Sequence, residues 1–159
     1  IGIKERFKAH LAFYPPCLVE MDLIEFSKAP IHILIGEKDD WVTASACEDL
    51  VRDLSDNNVD VGITVYANAH HGFDRKGLLV KEAKGYATGN CHFKMRSDGA
   101  LLMNFLDIPM ITPFRQKVAL GWCADRGTTI GGNPEARAKS FDFARNFMIK
   151  NLSRDFLQR

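Results

Sequence analysis

The 159 residues are 46% hydrophobic and 26% charged, an ordinary composition for one folded domain long enough to bury a core. Twenty-one Lys and Arg against 20 Asp and Glu leave a net charge of +1 with the 5 histidines neutral, so composition supplies no basic footprint for nucleic acid or a membrane surface. No apolar run approaches the roughly 18–20 residues a spanning helix needs, and repeats and low-complexity tracts are absent.

Segment 10–14, His-Leu-Ala-Phe-Tyr, reads as a short apolar strand stopped by Pro15-Pro16, which cannot continue a central ladder. It is reached within a few residues, without a signal peptide or cap. That points to a chain beginning partway through a larger protein, a cleaved or mature N-terminus being the other reading. Segment 31–35, Ile-His-Ile-Leu-Ile, follows Pro30 and ends at Gly36. Segment 59–66 sets Val59, Val61, Ile63 and Val65 at period two. Between these two strands Ser45-Ala46-Cys47-Glu48 reads as a capping box. Ala46, Leu50, Val51 and Leu54 supply the helix's apolar face, and Asp56-Asn57-Asn58 ends it. Strand, helix and strand at these lengths make a βαβ crossover and imply a parallel sheet.

Beyond Phe73 the pattern weakens. Segment 90–105 reads as a hairpin turning at Asp98-Gly99, with Cys91, Phe93 and Met95 alternating on one arm, and Thr112-Pro113 opens a short helix through Ala119 and Leu120. Gly131-Gly132 reads as a turn. Asn133 and Pro134 start a final helix with a stripe of Phe141, Ala144, Met148 and Leu152, and a charged tail carrying Ser153, Arg154 and Arg159 closes the chain. Cys17, Cys47, Cys91 and Cys123 are too widely spaced for a zinc ribbon, so free buried thiols are the leading expectation. Cys17 and Cys47 are the exception worth testing, since both fall near the carboxyl ends of neighbouring strands. As thiols they suit a cytoplasmic chain; a bridge between them would indicate a periplasmic or secreted one.

In an open parallel sheet, functional groups collect beyond the carboxyl ends of the strands. Two groups of residues fall there: Gly36-Glu37-Lys38-Asp39-Asp40-Trp41-Val42 after the second strand, and Ala69-His70-His71-Gly72-Phe73-Asp74 after the third. Adjacent strands run about 5 Å apart, so an acid and a histidine so placed come within side-chain reach, the acid orienting an imidazole that acts as general base. A metal site from His70, His71 and Asp74, with His10 or His92, lacks any recognised ligand spacing.

The order acid then histidine, one βαβ unit apart, resembles the α/β-hydrolase fold. Four stretches resemble the dienelactone hydrolase family within it: Phe13-Tyr14-Pro15, Gly36 to Trp41 as G-x-x-D-D-W, Tyr66 to Phe73, and Gly132-Asn133-Pro134-Glu135-Ala136. The resemblance spans roughly residues 7–75 and 128–150. It implies the C-terminal part of a single α/β-hydrolase domain, with parallel strands, flanking helices and an inserted β-hairpin within an insertion at about 80–128. It implies a hydrolase of esters or lactones whose triad acid is Asp39 and whose base is His71, with Asp40 and His70 as adjacent competitors. Trp41 either lines the substrate pocket or packs under the acid loop. No metal or organic cofactor is implied.

The family's nucleophile sits in a G-x-[SC]-x-G elbow, and none occurs here. Ser27, Ser45, Ser55, Ser97, Ser140, Ser153 and all four cysteines lack the flanking glycines. The expectation is therefore a chain that supplies the Asp and His alone, is inactive in isolation, and pairs with the N-terminal half of its parent or with itself across an exposed sheet edge. A non-catalytic binding domain on the same scaffold is the rival; the intact Asp and His favour the enzyme.

Overall fold

A computed structural model of the chain describes residues 7–21, 26, 28–103 and 106–152. Ser27, Phe105 at the far end of the expected hairpin segment, and the tail from Ser153 lie outside the described residues.

Three parallel strands carry the site: β1 (His10–Phe13), β3 (Ile31–Gly36) and β4 (Val61–Tyr66), in the order β1-β3-β4. Ile31 pairs with His10 on one side and Val61 on the other. Because successive strand residues face opposite ways, β3 feeds two layers. Ile33 and Ile35 join Ile63 against α1 (Ala44–Asp56), whose Ala46, Leu50 and Val51 face the sheet. Leu34 lies in the opposite layer with Phe73 and Ala136. There His32 packs at a tilt against Phe143 of α3 (Pro134–Leu152), with ring centroids 4.3 Å apart. The result is a mixed α/β layering with helices on both faces.

Several boundaries differ from the sequence reading. β4 begins at Val61 because the Val59 N–H is drawn back to the Leu54 carbonyl at the end of α1. The capping box does not form: the N-cap is Thr43, which makes no side-chain cap bond, so Ser45 sits inside the first turn. The expected stripe on α3 is overturned, since Phe141, Met148 and Leu152 are exposed. The sheet instead receives Ala136, Ser140, Phe143 and Phe147, whose small residues let the helix approach while His32 takes up the two rings. Asn133 caps α3 as expected, its Oδ1 accepting from the Ala136 N–H.

The middle of the chain builds a second unit. β2 (Val19–Met21), β6 (Phe93–Met95) and β7 (Leu101–Leu102) form a small sheet whose β6-β7 hairpin turns through Gly99 at φ +84°. With α2 (Pro113–Cys123) it encloses a satellite core of Phe93, Met103, Met110 and Ala119. β5 (Val80–Ala87) and β8 (Asp125–Ile130), neither expected from sequence, pair antiparallel as a ribbon. Gly131-Gly132 after β8 is not a turn but a close approach. A Cβ on Gly131 would stand 2.5 Å from the Leu78 carbonyl oxygen and one on Gly132 2.3 Å from that of Arg75.

The free-thiol expectation is also overturned. Cys17 and Cys47 are bridged with Cα atoms 4.9 Å apart, and Cys91 and Cys123 with Cα atoms 5.0 Å apart, both within disulfide reach. The first joins the chain after β1 to the first turn of α1. The second closes the excursion between β5 and β8. Bridges spanning 30 and 32 residues each stabilise by roughly 3–4 kcal/mol through restriction of the unfolded chain. Titration of the denatured, unreduced chain is expected to detect none of its four thiols and to detect all of them after reduction. A free thiol at stoichiometric level before reduction would contradict the pairing.

Candidate active site

Beyond Gly36 and Tyr66 the backbone bonding of β3 to β4 continues into the two loops: Glu37 N–H donates to the Tyr66 carbonyl at 2.9 Å and Lys38 N–H to that of Ala69 at 2.8 Å. The loops therefore hold a fixed separation. The Asp39 side chain is wholly buried, and both carboxyl oxygens are used. Oδ1 accepts from the N–H groups of Trp41 and Val42 at 3.0 Å each, and Oδ2 lies 2.9 Å from His71 Nδ1. A carboxylate can only accept, so Nδ1 carries the proton of this bond and the neutral ring's lone pair falls on Nε2. Each bond to such a group contributes about 1.5–3 kcal/mol, which offsets the cost of taking it out of water.

Two aromatic rings hold the imidazole. Tyr14 lies 4.4 Å from it and Trp41 4.8 Å, centroid to centroid. Gly72 follows at φ +70°, where a side chain would be strained, and swings Phe73 into the core. The Asn133 N–H donates to the Phe73 carbonyl, tying the loop to the start of α3. Trp41 is half-buried and also lines a cleft of about 460 Å³ with Arg75, Leu78, Val80 and Ile130.

Of the competing neighbours, Asp40 turns away from His71. Its Oδ1 accepts from Thr129 N–H at 2.8 Å and its Oδ2 from Thr129 Oγ1 at 2.9 Å. His70 buries an Nδ1 with no hydrogen-bond partner among the described residues. No group of three His, Cys, Asp or Glu among the described residues is arranged to hold a metal ion.

Tyr14 is the neighbour that sequence reasoning left without a role. It adopts φ +38°, a costly conformation for a bulky side chain, and its hydroxyl donates to Asp74 Oδ1 at 3.0 Å. The Phe-Tyr-Pro motif was visible; the backbone strain that sets the ring beside His71 was not.

An acid and a histidine on loops after adjacent parallel strands, with helices on both faces, define a protein of the α/β-hydrolase type. The chain belongs to the dienelactone hydrolase family, whose family model matches residues 2–90. No curated protein and no solved structure matches it.

Burial, and then the Asp74 carboxylate, push the Tyr14 hydroxyl up from 10.0 to about 12. The fold thus favours the neutral phenol. Its contribution is complete below pH 10 and is lost as pH rises through about 12. The ultraviolet absorbance titration of the wild type minus that of Tyr14→Phe is expected to show a midpoint near 12. A midpoint near 10 would mean that the ring is not held against Asp74.

Proposed function

We propose that this chain supplies the acid and the general base of a hydrolase acting on ester or lactone bonds. The observation that supports the reading is the buried Asp39 carboxylate 2.9 Å from His71 Nδ1, in a chain of a hydrolase family. Asp39 orients the ring and stabilises its protonated form. His71 Nε2 takes the proton of a Ser or Cys nucleophile as that atom attacks the substrate carbonyl, then returns it to the leaving oxygen. Trp41 forms one wall of the substrate cleft.

The nucleophile and its oxyanion hole come from chain outside these 159 residues, since no elbow motif occurs among them. That chain packs beside β1, whose described pairing is to β3 alone. The two disulfides suit an oxidising compartment.

In the longer parent assayed with p-nitrophenyl acetate, His71→Ala is expected to lower kcat/KM by about 10⁴-fold, and Asp39→Ala by roughly 10²–10⁴-fold. Undiminished hydrolysis in the double variant would overturn the reading and leave a binding module on a hydrolase scaffold. The 159-residue chain alone is expected to hydrolyse the ester no faster than free imidazole. Enzyme-like rates abolished by His71→Ala would reveal a nucleophile within it.

A further inference from the structure

We propose that Asp40, Thr129 and Thr88 are positioning residues, and that the β5–β8 ribbon is a brace fixing Asp39 against His71. The proposal rests on the reading of that pair given above.

Thr129 in β8 donates both its N–H and its hydroxyl to the Asp40 carboxylate, so the residue next to the acid is held at two points. The next residues of the same segment hold the histidine. Ile130 bridges His71 in parallel fashion, and Gly131 N–H donates to the His71 carbonyl at 3.0 Å. Three consecutive residues, 129–131, therefore grip both loops of the site. The partner strand adds a further hold, because Thr88, just past β5, donates its N–H at 3.0 Å and its hydroxyl at 2.8 Å to the Trp41 carbonyl. Trp41 N–H is itself a donor to Asp39 Oδ1. The acid loop is thus gripped at the two residues that follow Asp39 by two threonines of one ribbon.

The ribbon is mostly exposed and has little apolar packing of its own. Close approach fits its strands together: a Cβ on Gly85 would lie 2.1 Å from Thr128 Oγ1. The Cys91–Cys123 bridge ties its ends just beyond the Ala87–Asp125 pair. Two threonines, each with both donors spent on a neighbouring loop, make a device for orientation.

The test follows the Nδ1 proton of His71 by NMR in the 159-residue chain with ¹⁵N-labelled histidine, alongside thermal unfolding. The wild type is expected to give a sharp, low-field Nδ1–H resonance, and Asp39→Ala to abolish it. Asp40→Ala is expected to speed its exchange with solvent roughly tenfold, because the loop opens locally. Thr129→Val should speed it less, and Thr129→Ser should restore it. Should Asp40→Ala fail to fold, Thr129→Val, which removes one hydroxyl donor, carries the test. A folded Asp40→Ala or Thr129→Val chain with wild-type exchange, while Asp39→Ala loses the signal, overturns the brace alone. A signal that survives Asp39→Ala overturns the Asp39–His71 pair itself.

Discussion

The Asp39 carboxyl group has no access to water, and the geometry of the site follows from meeting its needs. A buried carboxylate is tolerated only when its lone pairs are filled. Two are filled by the amides that follow it, which folds the chain into a tight turn; His71 takes another. That turn fixes the directions of the adjacent side chains. Asp40 leaves on the opposite side toward β8, and Trp41 lies over the imidazole. One buried group thereby sets the surroundings of the imidazole.

The frame beneath it is rigid for ordinary reasons. β3 is paired on both edges and packed on both faces, so the loops leaving β3 and β4 start from a fixed spacing. The Cys17–Cys47 bridge anchors the helix that follows the acid loop to the chain leaving β1. Tyr14, at the end of β1, turns inward against His71 and binds Asp74 on the same loop as the histidine. Three neighbouring strand ends therefore contribute to one small volume.

How much of this is legible in the sequence depends on where the signal resides. β1, β3, β4 and α1 were readable because apolar periodicity and Pro or Gly punctuation mark them, and the crossover rule then set Asp39 and His71 at neighbouring strand ends. The β5–β8 ribbon was not readable. Val80–Ala87 carries three charged side chains on an exposed surface, and Asp125–Ile130 is mostly polar, so neither shows a buried face. Their order comes from backbone pairing and from Thr129 and Asp40, 89 residues apart in the chain. The final helix misled for the opposite reason: it bears two apolar rows, and only packing against His32 decides which one faces the sheet. The Cys17–Cys47 bridge depended on side-chain directions that strand-end proximity does not specify.

In this geometry Asp39 holds His71 with its proton on Nδ1 and its lone pair on Nε2. The ¹⁵N chemical shifts of His71 in its neutral form measure this directly. The Asp39–His71 contact predicts a protonated, pyrrole-like Nδ1 coupled to its proton and an unprotonated, pyridine-like Nε2. A neutral ring with its proton on Nε2, or one exchanging freely between the two forms, would contradict it.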